Sequence, residues 1–160
     1  MFERPFWTAV VGLFAAAVLG FFWRRWRAAQ LDAKQRLAMI DFVERSDELG
    51  ASFLAAAGRL GKPRGLRWKS CTLRDDRRFA KDRSTGELVG LASVEIGFEA
   101  IEGGGMEDVE AVGNIRLATS VFTWRDGEWT TDGRAVFNLD PGQTLERYAD
   151  SLASTEPLRA

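Results

Sequence analysis

The chain has no histidine among its 160 residues, one cysteine, one tyrosine and four prolines. Without histidine it lacks the usual general base and the commonest metal ligand, which excludes Ser-His, Cys-His and His-ligated metal chemistry. The lone cysteine, Cys71, leaves no intramolecular disulfide and agrees with a reducing compartment. A dominant charge is missing too: 22 basic residues face 23 acidic ones, so no strong field draws nucleic acid or an acidic substrate. There is no low-complexity tract and no repeat at a fixed period, and Gly103-Gly104-Gly105 is followed by no Gly-Lys-Ser or Gly-Lys-Thr of a phosphate loop. No cofactor is implied.

What is present is one long apolar run, Phe6 to Trp23, with Thr8 as its only polar member. At about 1.5 Å per residue it reaches roughly 27 Å, close to the thickness of a bilayer's hydrocarbon core. Phe6 and Trp7 stand at one end, and Phe21, Phe22, Trp23 and Trp26 at the other, where rings favour the headgroup level. Arg24, Arg25 and Arg27 follow directly, whereas a cleaved signal peptide has small residues at its cut site. A buried soluble helix fits less well, since the run has no polar face. Residues 1–27 therefore read as a single-pass transmembrane anchor with a basic flank, and the lipid bilayer as a partner. Only Arg4 lies on the amino side, so the positive-inside rule places the carboxyl-terminal domain in the cytoplasm. The three arginines set that topology and are placed to meet anionic headgroups.

Residues 28–62 have helical composition, with Met39, Val43, Ser46, Gly50, Phe53, Ala57 and Leu60 at spacings of three and four, and Phe42, Leu49 and Leu54 widening the stripe. Nothing breaks the chain before it, so the anchor is expected to continue into this amphipathic helix, which Gly61-Lys62-Pro63 ends. Beyond Pro63 the period changes to two. Over residues 63–153 the pattern predicts a four-stranded antiparallel meander and a short helix. Its strands cover Leu66–Asp82, with a bulge near Asp75 and Asp76, Glu87–Glu102, Val109–Trp124 and Trp129–Leu139. The second strand puts Ala92, Val94, Ile96, Phe98 and Ala100 on one face; the third alternates Ile115, Leu117 and Val121 with polar or small residues. Asp126-Gly127 calls for a two-residue turn that sets Arg125 opposite Glu128 and Trp124 opposite Trp129. Asp140-Pro141 with Gln143 reads as a capping box opening a helix with Leu145, Tyr148, Ala149 and Leu152 on its apolar side; residues 154–160 form a frayed tail.

Candidate sites are few. Trp124 and Trp129 are expected to staple the hairpin, with partner stacking as the second role. Glu99, Glu102, Glu107, Asp108 and Glu110 surround the triple glycine without the spacing of a calcium loop. Cys71 between Lys69 and Arg74 has no base to pair with, so no catalytic residue and no metal ligand is assigned.

One helix followed by an antiparallel meander, over Leu37 to Leu139, resembles the cystatin-like architecture shared by cystatins and nuclear-transport-factor-like domains. The cystatin Gln-x-Val-x-Gly signature is absent, and so is the histidine of the Asp-His pair used by enzymes of the second group. An apolar amino-terminal helix joined to a sheet also resembles type IV pilins and single-span assembly factors of bacterial secretion systems. The pilin processing site does not occur before Phe6, and the assembly factors carry their domain on the outer side. The expected function is a membrane-anchored, non-enzymatic interaction or scaffold domain that binds a protein partner or self-associates. The alternatives are a small-molecule binder or enzyme with a pocket between helix and sheet, lined by Cys71, Asp108 and Arg116, or a pilin or secretion-system component; a filled interior would favour the first.

Overall fold

The computed structural model describes residues 3–60 and 65–155, with the side chains of residues 3–17, 28 and 111 outside that description. Two compact units make up the chain, Met1–Leu37 and Ala38–Ala160. The fold is α+β with an antiparallel sheet. Its elements are α1 (Glu3–Glu44), α2 (Ser46–Leu60), β1 (Leu66–Asp82), β2 (Leu88–Ala100), β3 (Arg116–Arg125), β4 (Glu128–Thr130), β5 (Ala135–Phe137), α3 (Pro141–Arg147) and β6 (Leu152–Ser154), with a 3₁₀ turn at Glu110–Gly113.

In the first unit Phe21, Phe22, Trp23 and Trp26 are all more than half exposed. Most of the run that carries the anchor expectation, residues 6–17, falls on side chains outside the description. Among the described residues no helix is long and apolar enough to cross a membrane, so the expected transmembrane helix finds no support there.

In the second unit the helical layer covers one face of the sheet. Ala38, Met39 and Phe42 of α1 and Leu49, Gly50, Phe53, Ala56 and Ala57 of α2 are buried, while Val43 and Leu60 of the predicted stripe are exposed. The stripe shifts because the helix is interrupted at Arg45, where α2 starts anew. The Gly61-Lys62-Pro63 stop lies outside the described residues. On the sheet, Leu88, Ala92, Val94, Ile96, Phe122 and Trp129 complete this core.

The sheet has six strands, not the four expected, in the order β4-β3-β2-β1-β6, with β5 also paired to β3. The bulge in β1 falls where predicted, between the pairs Leu73↔Val94 and Arg77↔Ala92. The Asp126-Gly127 turn has positive φ at both residues, 54° and 88°, and sets Trp124↔Trp129 and Arg125↔Glu128. Three further expectations are corrected. The fourth strand splits into β4 and β5 because Gly133, at φ 82°, lies against α2, where an added Cβ would stand 2.2 Å from the backbone nitrogen of Ala57. Leu152 belongs not to the final helix but to β6, which pairs with Ala80–Asp82 of β1. The third strand also starts later than predicted, at Arg116, and Ile115 and Leu117 are each 63% exposed; the helix-facing residues are Ala118, Ser120 and Phe122. The polar Ser120 is tolerated there because its hydroxyl donates to the Ala92 carbonyl at 2.9 Å.

Phe42 organises the core. Its ring meets those of Phe79, Phe122 and Trp129 edge-on, at centroid distances of 5.5, 5.2 and 4.9 Å. The space it occupies exists because β2 carries Gly90 at the point of contact: a Cβ there would lie 2.9 Å from Phe42 Cε2 and 3.2 Å from Trp129 Cζ3. Gly90→Ala is therefore expected to destabilise the domain by about 1–3 kcal/mol through overpacking, even though alanine suits a strand better than glycine. Urea unfolding of the two proteins measures this; equal midpoints would show that the ring can move aside.

Candidate functional site

The interior between helices and sheet is packed, and the cavity lies on the opposite side. In β2 the residues Leu88 to Ala92 are all buried, so both faces of the sheet are covered at this end. Leu88, Gly90 and Ala92 face the helices; Val89 and Leu91 face outward, beside Thr123 and Val121 of β3. The chain from Leu139 through α3 returns over this outer face. Thr119, fully buried, donates its hydroxyl to the Leu139 carbonyl at 2.8 Å, and the capping box predicted at Asp140 starts α3 there. Gln143 N–H donates to Asp140 Oδ1 at 2.8 Å, and Asp140 N–H donates to Gln143 Oε1 at 3.1 Å.

α3 is only seven residues long, so cover is partial and leaves a cavity of about 620 Å³. Its apolar lining is Val89, Leu91, Val121, Val136 and Leu152. Around them stand hydroxyls, including those of Thr123, Thr144, Tyr148 and Ser151, and the charged groups Asp82, Glu87, Arg125, Asp132 and Arg134. The charges are matched within the protein. Glu87 takes two hydrogen bonds from Arg125, at 2.7 and 2.9 Å, and this guanidinium holds the carboxyl below its usual range. Asp132 pairs with Arg134 at 3.2 Å. Asp82 Oδ1 accepts from the Ser84 hydroxyl and from the backbone N–H groups of Ser84 and Thr85, which hold its carboxyl low. Thr144 is the exception: it is 1% exposed, and its hydroxyl has no partner. Such a group costs about 1–3 kcal/mol unless something fills the gap.

The residues singled out by sequence lie elsewhere. Trp129 is 7% exposed and its Nε1 donates to the Ala38 carbonyl at 2.8 Å; Trp124 is half-buried, with the two rings 5.3 Å apart. The pair forms a cross-strand contact on the helix side of the sheet. Arg24, Arg25 and Arg27 are in the first unit, exposed and without ion pairs among the described residues; Arg25 lies 5.9 Å from the Phe21 ring centre and Arg27 5.2 Å from that of Trp23. In the acidic loop, Glu99 pairs with Arg67 at 2.6 Å and Glu107 accepts from Gly104 N–H at 3.1 Å. Among the described residues no three His, Cys, Asp or Glu side chains gather as metal ligands. Cys71, Asp108 and Arg116 do not line the cavity. The signal that would have found it is the unbroken apolar stretch Leu88-Val89-Gly90-Leu91-Ala92, the pattern of a strand buried on both faces.

No family model, curated protein or solved structure matches this chain.

Two outcomes follow from this geometry. Trp129→Ala should cost about 3–5 kcal/mol, and Trp124→Ala, at a half-buried position, about 1–3 kcal/mol, both read from urea unfolding. For Cys71, burial pushes the thiol from its ordinary 9.0 up to about 12. The folded chain then keeps a proton that the unfolded chain releases, so stability should fall as pH rises from 9.0 towards 12. Iodoacetamide at mildly alkaline pH should alkylate Cys71 slowly in the native protein and quickly in urea; equal rates would show an accessible thiolate.

Proposed function

We propose that the chain is a membrane-anchored, non-enzymatic interaction domain of cystatin-like architecture that binds through the outer face of its sheet. The observation that carries the binding role is the half-covered cavity on that face, where Glu87 is paired with Arg125, Asp132 with Arg134, and Asp82 is held by the turn at Ser84 and Thr85. Catalysis by carboxylates needs groups free to take and give protons, and here Glu87 and Asp132 are held in ion pairs with Arg125 and Arg134. The packed helix side supports the same reading, since the interior is filled by Phe42, Phe53, Phe122, Val94 and Ile96.

The anchor is argued from sequence. Phe6 to Trp23 has the length and composition of a single span, and Trp23 and Trp26 beside three arginines form the aromatic and basic edge that such spans carry. Exposure of those rings, and the absence of ion pairs at Arg24, Arg25 and Arg27 among the described residues, are consistent with a bilayer surface as the partner. The same arginines set the domain on the cytoplasmic side.

The full chain is expected to stay in the membrane fraction through high-salt and alkaline washes, which strip proteins held only by surface charge. Recovery in the wash would remove the anchor. Protease added to intact cells should leave residues 38–155 uncut, whereas digestion from outside would reverse the orientation.

A further inference from the structure

We propose that Arg24, Arg25 and Arg27 make the end of the apolar run a binding surface for anionic phospholipid, so that the chain gathers acidic headgroups around its anchor. This deepens the membrane reading proposed above and rests on it.

The positive charge is concentrated here. Arg24, Arg25, Arg27, Lys34 and Arg36 fall within residues 24–36 with Asp32 as the one acid among them, so the rest of this near-neutral chain is net acidic. All five basic residues are exposed, and none has an ion pair among the described residues. Basic residues close to a bilayer attract anionic lipid, with an effect of about fivefold in association for each. Their distance from the surface decides which of the five count. For a helix leaving along the membrane normal, Lys34 and Arg36 lie roughly 10 and 14 Å beyond Arg27, farther than the screening length of about 8 Å at physiological ionic strength. The three arginines therefore carry most of the attraction.

Their geometry selects a layer of headgroups over a single ligand. Arg25 and Arg27 lean back along the helix, 5.9 Å from the Phe21 ring centre and 5.2 Å from that of Trp23. Those rings close the apolar run, so the lean keeps both charges at its edge, where phosphates lie. Arg24, Arg25 and Arg27 also sit within one helical turn and, at about 100° per residue, fan over roughly 160° of the circumference. Guanidiniums at one depth but aimed apart do not close on one small anion; they suit separate phosphates on several sides. Phe22, Trp23 and Trp26 stand among them, each more than half exposed. Free phosphate offers those rings nothing apolar to enter, whereas the headgroup level of a bilayer does.

The test uses the full chain reconstituted in phosphatidylcholine vesicles that carry a trace of pyrene-labelled lipid, either phosphatidylglycerol or phosphatidylcholine. Energy transfer from tryptophan to pyrene reads which lipid neighbours Trp23 and Trp26, with Trp23→Phe/Trp26→Phe as the blank for the other tryptophans. At low salt the phosphatidylglycerol probe should be preferred by at least about fivefold, the effect of one well-placed arginine. Arg24→Gln/Arg25→Gln/Arg27→Gln should bring the two probes to near equality, as should molar sodium chloride, while Lys34→Gln/Arg36→Gln should change the preference less than about twofold. Equal transfer to the two probes in the native chain, or a preference that survives the triple change or molar salt, overturns the proposal. A preference abolished by inorganic phosphate, but not by chloride at the same ionic strength, assigns the arginines to a free anion and overturns it too. An alkaline wash of the same vesicles reports the anchor separately. Protein retained with equal transfer removes the lipid preference alone; protein stripped after showing the preference removes the anchor alone.

Discussion

The domain depends on one ring. Phe42 is the point at which α1 is fastened to the sheet, touching Phe79 of β1, Phe122 of β3 and Trp129 of β4, with its edge over the bare backbone of Gly90 in β2. Each edge-on pair contributes about 0.5–1.5 kcal/mol beyond the area it buries. The hydrogen bond from Trp129 to the Ala38 carbonyl, one turn earlier in the same helix, fixes residues 38–44, the part of α1 within this unit, along the helix axis as well as in rotation. Four strands are thereby referred to a single helical turn, and the hairpin tryptophans have their structural role from this contact.

With one face of the sheet closed in this way, the short returning segment determines what happens on the other. Capping by Asp140 and Gln143, with Pro141 at the first turn, lets a helix too short to stand by itself form over β1 and β2. Because α3 ends at Arg147 and the chain then leaves to pair as β6, the outer face is covered at its edge and open at its middle. The cavity is thus a consequence of helix length.

The long strand β1 presents a different constraint. Among the described residues only Ala80–Asp82 have a strand partner on its outer side, which leaves most of its length as an edge. Such edges invite pairing with other chains, and this one carries the features that oppose it. Two register shifts interrupt it, at Lys69 and at Arg74–Asp76, and the second places Arg74, Asp75, Asp76, Arg77 and Arg78 side by side. Arg74 pairs with Glu95, Arg77 with Asp75 and Arg78 with Asp76, so the bulge is a dense cluster of charges that a second strand would have to desolvate.

Much of this could be read from the chain alone, wherever the cause is local. The Asp126-Gly127 turn and the register it imposes follow from two residues that accept positive φ, the capping box from side chains three positions apart, and the helix-facing residues of β2 from simple alternation. What the sequence did not contain in readable form was produced by groups far apart along it. Glu87 and Arg125 are 38 residues apart, and Gly133 splits a strand only because Ala57 stands against it. The stretch Leu88–Ala92 signals a strand covered on both faces, but the outer-face cavity itself arises only where β2, β3 and the returning chain meet. The composition determined that chemistry based on histidine, disulfides or strong charge is excluded and that an apolar run precedes an α+β domain. The tertiary structure decided which hydroxyls and charges find partners, because pairing is a property of distance in space, and Thr144 is left without one only by how α3 comes to rest on the sheet.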